Sequence, residues 1–412
     1  MIKDILLILI IIVIIILILI LISYLYKLYN NRFSKKLKIN KPSNIINNTY
    51  YKCLEKGHNE PTNNILNKYH VNRINDPEKC SLYIPCGYNN VEMELFDISQ
   101  KHFNNSTIIY GIVGCDKIVS KRNIWMILER YYGRNNATIL MPLTYVTDNE
   151  EHMYELNKNH KIGMKYILKK NLQRKKGLKI TNSLSDMNNA LNDDYKIIQK
   201  FIRDPLLING RKLNIRIYII IIQEKTITKI YLYKAGKCIY TNKNYVDNEY
   251  DFDNDDFERN ITSYNLDNKI YLKNPLLLED LRKYLNSSNN LKNINIDNEN
   301  NLLDDENKIL LGNKLINNIN ILIQKVCKPI KPEVCKNYEN IKDNTCFQIF
   351  GGDIIVDTNL KPYLLEFNKG PSLKTDLKRD YIMKEGLIED TFKLANVIPN
   401  NNESHLNNFI KI

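Results

Sequence analysis

Apolar positions in this chain fall into a few distinct patterns. Residues 5–22 are unbroken Ile, Leu and Val. Later stretches alternate at strand spacing or repeat at helical spacing, separated by tracts of Asn, Lys and Asp. As a helix, the first run would extend ~27 Å, enough to cross the hydrocarbon core of a bilayer. Bulky Tyr24, Leu25 and Tyr26 follow where a cleaved leader would have small residues, so residues 1–27 are expected to be a retained transmembrane anchor. Lys27, Arg32, Lys35, Lys36, Lys38 and Lys41 follow the run against Lys3 before it. The positive-inside rule then places the rest of the chain in the cytosol. The expectation is a single-pass membrane protein.

Residues 28–78 lack apolar periodicity and read as a polar tether, with folded sequence starting near Cys80. Residues 111–147 read as strand, helix, strand. In the middle piece Ile124, Ile127 and Leu128 share a helical face, and Gly133 is a stop. A short strand at 166–169 leads to a basic loop ending at Gly177, then another strand. Apolar strands at 196–202 and 214–222 flank a turn containing Pro and Gly, and 230–241 reads as strand, turn, strand. The Asn- and Asp-rich tracts 242–258 and 284–320 read as insertions, the second between helices. Residues after Leu373 read as a closing amphipathic helix or pair. The whole is a mixed α+β pattern, long enough for two or three subdomains.

The most informative stretch is 347–373: a strand carrying Asp353, a turn at 357–359, then a strand carrying Glu366 and Asn368. Residues two apart on a strand share a face, so Glu366 and Asn368 lie side by side, and the hairpin would bring Asp353 alongside. Two carboxylates and an amide oxygen suit Mg²⁺ carrying nucleotide phosphates. Taken alone, the three positions fit an amphipathic hairpin with its polar face in water more readily than a metal site. The formal charge of +13 favours an acidic partner. Without a zinc knuckle or an aromatic-interleaved basic motif, no specific nucleic-acid partner is expected. The eight cysteines form no CxxC pair and are expected to be reduced thiols.

In order along the chain, these blocks resemble the tubulin–tyrosine ligase-like family of ATP-grasp carboxylate–amine ligases. The resemblance covers roughly residues 105–395 and rests on Pro142-Leu143-Thr144-Tyr145, the 193–222 block, IYLYKAGKCIYT and the 347–373 hairpin. It implies an ATP-grasp fold: N-terminal and central subdomains over 79–205, a C-terminal subdomain over 206–398, and a tail at 399–412. By the resemblance, Asp353, Glu366 and Asn368 hold Mg²⁺, while Lys121, Lys169, Lys212 and Thr262 serve ATP. Gln199, Lys200, Phe201 and Ile202 match the hinge that meets adenine. Lys212, Arg216 and Lys234 match cations facing phosphates and the acceptor carboxylate. Asn214 stands where the family has an acidic residue, and Asn260 and Ser263 where it has His and Asn. The implied activity is ATP-dependent addition of Glu, Gly or Tyr to a protein carboxylate through an acyl phosphate. The implied partners are a free amino acid and an acidic protein, tubulin with its C-terminal tails being the usual one. The changes on the acceptor side leave open the same chemistry on another peptide or small acid, or a catalytically weak ATP-binding membrane scaffold.

Overall fold

Short aromatic and β-branched segments open the described part of the chain and pair in parallel: β1 (Thr49–Lys52), β2 (Asn72–Ile74), β3 (Leu82–Ile84) and β4 (Ile108–Tyr110). Parallel neighbours need crossovers, and helices Glu60–Lys68 and Val91–Ser99 lie in two of these connections. Next come β5 (Thr144–Val146), β6 (Tyr166–Lys169), β7 (Leu178–Thr181) and β8 (Ile197–Lys200), which form a separate antiparallel sheet ordered β5–β8–β6–β7. Tyr145, Leu156, Tyr166, Leu168, Met187 and Ile198 make its own core. The later strands are β9 (Leu207–Ile208), β10 (Arg211–Glu224), β11 (Ile227–Tyr233), β12 (Lys237–Tyr240), β13 (Thr345–Val356), β14 (Pro362–Asn368) and β15 (Phe409–Lys411). Together with β1–β4 they build the larger sheet, whose main path is β15–β11–β10–β13–β4–β3–β1–β2. Strands β12 and β9 also pair with β10, and β14 with β13.

This computed structural model describes residues 49–412 except 53–59, 88–89, 102–103, 172–176, 248–253, 263–265, 288–309, 335–337 and 401–402. Residues 47–412 cluster as a unit of their own.

The spine of the larger sheet is β10. Its Ile-rich sequence suits a strand paired on both edges and covered on both faces. Ile215, Ile217, Ile219 and Ile221 join one core with Leu315, Ile319, Leu322 and Ile323 of helix Leu311–Ile330. The alternate residues Tyr218, Ile220 and Ile222 join a second core with Met383, Leu387, Ile388 and Phe392 of helix Lys378–Leu394. On that second face the polar residues Lys212, Asn214 and Arg216 continue the alternation past the end of the apolar run. They line a cavity of about 1150 Å³.

Several expectations change. Within the segment expected to be a tether, 28–78, the described residues supply two paired strands, β1 and β2, and helix Glu60–Lys68. The strand expected through 111–119 stops at Tyr110. Gly114, at φ 88°, opens a short helix instead, Cys115–Val119. The start of the strand expected after Gly133 is helical, Arg134–Leu140. Cys86 is disulfide-bonded, contrary to the expectation of thiols throughout. No helix among the described residues is long and apolar enough to cross a membrane, and residues 5–22 lie outside them.

Candidate active site

The β10–β13–β14 register decides the site. Asp353 stands directly opposite Arg216 on one side and Glu366 on the other. On the far edge of β10, Arg216 stands opposite Lys237 of β12. Four charged residues therefore form one row across four strands: Lys237, Arg216, Asp353, Glu366. Directly opposed residues bring their Cβ atoms to about 5 Å, where like charges repel. The row holds two such pairs, one acidic and one basic.

Each end of the row is closed by an opposite charge. Lys121, the first residue of helix Lys121–Tyr132, lies 3.1 Å from Glu366 Oε2. Its position is fixed by Ser120, whose hydroxyl accepts from the Asn123 N–H at 3.3 Å. At the other end Lys237 donates to Asp380 Oδ2 at 2.6 Å, and Lys384 donates to the same oxygen at 3.0 Å. Between the ends, Arg216 forks onto Asp353, Nε to Oδ1 at 2.5 Å and a terminal nitrogen to Oδ2 at 3.0 Å. Gly351 makes room for that arginine, since a Cβ there would lie 3.1 Å from Arg216 Cδ and 2.9 Å from Pro371 Cβ.

A bulge shapes the acidic pair. Glu366 opposes Asp353 but Leu364 opposes Ile354, so Leu365 is the extra residue and turns into the cavity beside Glu366. The Asn368 amide lies 3.4 Å from both Asp353 Oδ2 and Glu366 Oε1. Amide oxygen and nitrogen exchange by a simple flip, so three side chains can present oxygen to one point. Burial disfavours the Glu366 carboxylate, but the Lys121 and Lys169 charges outweigh it and hold its pKa below the usual range. This donor set fits a hard divalent cation.

The smaller sheet supplies the opposite wall. Lys169 donates to Gln199 Oε1 at 2.7 Å, and Gln199 in turn donates to the Thr144 hydroxyl at 2.9 Å. Burial pushes Lys169 down to about 8, partly offset by Glu366. Burial, with the Lys169 charge second, pushes Lys212 down to about 7. Pro142, Ile167, Leu178, Ile202 and Ile355 give the cavity an apolar stretch beside these cations.

The expected site residues separate on this geometry. Asp353, Glu366, Asn368, Lys169, Gln199, Lys200, Ile202, Lys212, Arg216 and Thr262 all line the cavity. Thr262 accepts from the Asn214 amide at 3.1 Å. Lys121 reaches the site through Glu366. Phe201 is buried and carries Lys212 on its ring, 4.3 Å from the centroid, so it props a site lysine. The Lys200 and Phe201 N–H groups donate to the Leu143 and Lys165 carbonyls. Lys234 is the correction. It is exposed, outside the cavity lining, and its backbone N–H donates to Asn408. Lys237, three residues later, takes the position in the row. Asp380 and Lys384, also unanticipated, carried the signal of an i, i+4 charge pair on a helix. The basic loop expected to cover phosphates (Arg174, Lys175, Lys176), Ser263, and the middle of the second insertion lie outside the described residues.

The family model described as "Tubulin-tyrosine ligase family" matches residues 102–405, a span that includes every residue of the row. The chain belongs to the tubulin-tyrosine ligase family. Similar family members include a probable beta-tubulin polyglutamylase of Tetrahymena thermophila, 31% identical over 230 residues, covering 54% of this chain and 18% of that protein. The probable tubulin polyglutamylase TTLL9 of Mus musculus is 28% identical over 219 residues, 53% of this chain and 42% of its own length. The probable tubulin polyglutamylase TTLL2 of Homo sapiens is 28% identical over 283 residues, 65% and 42% respectively. The chain thus spans 18 to 42% of the length of these relatives. Their names are those of tubulin-modifying enzymes. The expected single-pass membrane localisation is corrected on the relatives' names; its span, residues 5–22, lies outside the described residues, among which no helix is long and apolar enough to cross a membrane.

Proposed function

We propose that this member of the tubulin-tyrosine ligase family is an ATP-dependent carboxylate–amine ligase of ATP-grasp type, adding glutamate to a carboxylate of tubulin. The observation that carries the proposal is the opposed Asp353–Glu366 pair, set beneath buried Lys169 in a cavity between two sheets. Two adjacent carboxylates beside lysines suit a nucleotide brought in with its metal ion. Support for tubulin and glutamate comes from the relatives' names.

Asp353, Glu366 and Asn368 would hold Mg²⁺, which when bound neutralises phosphate charge. Lys169, fixed by Gln199, and Lys212, held on Phe201, face the phosphates. The apolar stretch with Ile202 and the hinge carbonyls receives the base. Arg216 holds the acceptor carboxylate in line. That carboxylate attacks the γ-phosphorus and ADP leaves; the amine of the amino acid then attacks the acyl carbon, phosphate departs, and an amide remains. No side chain acts as a nucleophile, so the residues work by position and charge. Incubating the full chain with Mg²⁺, ATP, tubulin and labelled glutamate, glycine or tyrosine tests this. Glutamate alone is expected to enter tubulin. Incorporation of glycine or tyrosine instead would replace the donor, and incorporation of none would refute the tubulin reading.

A further inference from the structure

A covalent bond stands on the cavity wall away from the charged row. Cys86, two residues past the end of β3, is disulfide-bonded and lines the cavity with Ile84, Pro85 and Gly87. It precedes residues 102–405, the span matched by the family model. Register fixes its distance from the metal pair. Tyr83 stands opposite Ile109 of β4, and Tyr110, the next residue, opposite Phe347 of β13. Ile84 therefore falls in the row of Phe347, six residues (353 − 347) along β13 from Asp353, or roughly 20 Å at the rise of a strand. The Asp353 end belongs to metal and nucleotide, and the Cys86 end is left to the acceptor chain. Cys86 also differs from the other described cysteines. Cys80, Cys115, Cys238, Cys327 and Cys346 are free and buried. Burial pushes Cys80 up to about 11 and Cys238 and Cys327 up to about 12, so at neutral pH they hold almost no reactive thiolate. Cys86 is partly exposed. Its backbone is fixed, since the Cys86 N–H donates to Glu94 Oε2 at 2.7 Å and the Gly87 N–H to Glu94 Oε1 at 3.3 Å. The disulfide thus ties a second part of the chain to a fixed point on the cavity wall.

We infer that the Cys86 disulfide is a redox-controlled clasp on the acceptor end of the cavity. Closed, it holds the wall against which the acceptor chain lies; opened by a low-molecular-weight thiol, it weakens acceptor binding and leaves the nucleotide end unchanged. The inference rests on the ligase reading above and names a regulation of the same site. Opening is a thiol–disulfide exchange. A small thiolate attacks Cys86 Sγ to form a mixed disulfide, and the partner sulfur leaves as a thiolate. A second small thiolate then attacks the small molecule's sulfur in that mixed disulfide and releases Cys86. Two small thiols are thereby oxidised to one small disulfide, and the two protein sulfurs are reduced and take up the two protons. The small disulfide closes the clasp by the reverse steps. Lys52, opposite Ile84 and also on the cavity wall, adds positive charge that draws an anionic thiolate to this end. The buried thiols neither attack nor are attacked, so a thiol–disulfide couple in solution acts on the Cys86 bond.

The test uses the full chain equilibrated in mixtures of glutathione and glutathione disulfide. Alkylation without denaturant, read by mass spectrometry, should show Cys86 passing from disulfide to labelled thiol while the five buried cysteines stay unlabelled. Across that conversion the Kd for tubulin should rise roughly 5-fold, while the Kd for a non-hydrolysable ATP analogue with Mg²⁺ stays within about twofold. Reoxidation by glutathione disulfide should restore the first value. Cys86→Ser should show the weaker tubulin binding in every mixture. If tubulin binds equally in both states of Cys86, if tubulin and nucleotide weaken together, or if Cys86→Ser responds to glutathione as wild type does, the clasp is refuted while the ligase reading stands. Labelling of the buried cysteines alongside Cys86 would equally refute a selective switch. Amino-acid transfer with Mg²⁺, ATP, tubulin and labelled glutamate is measured in the same samples. If the oxidised chain binds tubulin in a glutathione-dependent way but transfers no amino acid, the ligase reading falls and the clasp remains.

Discussion

Two like-charged pairs share one row of this sheet, and they are completed differently. Asp353 and Glu366 are each answered inside the protein, by Arg216 and Lys121. Arg216 and Lys237 are answered by Asp353 and by an aspartate that Lys237 shares with Lys384. The acidic pair is thus balanced in the resting protein and concentrates negative charge where a divalent cation can compete with two cationic side chains. The basic pair is left one charge short. Lys237 and Asp353 flank Arg216 on either side of β10, two strand spacings or about 10 Å apart.

Removing the acidic pair should have the largest effect. Asp353→Ala leaves the largely buried Arg216 without its partner, a loss of about 3 kcal/mol in stability. It should also lower Mg²⁺–ATP turnover by at least ~100-fold, an electrostatic effect of the size expected for a preorganised charge. Chemical denaturation and an ADP-release assay measure the two separately. If Arg216→Met is added to Asp353→Ala, stability should largely return while turnover stays lost, which separates the structural from the chemical role of the pair.

Lys212 should give the next largest effect, read in pH. Its folded value, about 7, lies below the ordinary lysine value of 10.5. Below pH 7 both folded and unfolded chains hold the proton and the full burial cost is present; above 10.5 neither does and the cost is gone. Stability contributed at this position therefore rises with pH between 7 and 10.5. Lys212→Met should stabilise the nucleotide-free protein at pH 6 and lose much of that advantage by pH 9, while weakening ATP at both. Equal stabilisation at the two pH values would contradict a buried, strained ammonium.

The smallest effects should distinguish the two lysines of the β11–β12 region. Lys237→Met should lower stability, measured by chemical denaturation, because fully buried Asp380 then keeps Lys384 alone. Lys234→Ala should leave ATP turnover unchanged and stability within about 0.5 kcal/mol, as for other exposed substitutions. Should Lys234→Ala prove the damaging change, the register of β12 against β10 would be wrong.

What was legible in the sequence follows from the range of the interactions. Period-two alternation put Glu366 and Asn368 on one face, and a short turn brought Asp353 to them. All three are fixed within 16 residues of chain, and the structure brings them together. Helix Lys121–Tyr132 was likewise legible from its apolar face and Gly133. The basic half depends on a helix more than 130 residues from Lys237 in sequence. Its assembly is set by how helix Lys378–Leu394 packs on β10 through Ile220, Ile222, Met383 and Leu387, a tertiary fact with no local signature. Lys234 misled for a related reason: charge type matched, but only the Arg216–Lys237 register tells which lysine faces in. Strands β1 to β3, three or four residues each, are too short to show periodicity against an Asn- and Lys-rich background.

The central claim is that the opposed Asp353–Glu366 pair is the metal–nucleotide site of a ligase. The most direct test is ADP release by the full chain with Mg²⁺ and ATP, adding tubulin and glutamate singly and together. The account predicts sustained ADP formation only when both are present, abolished in the Asp353→Ala/Glu366→Ala double variant. ADP formed at the same rate without glutamate, or undiminished in the double variant, would contradict it.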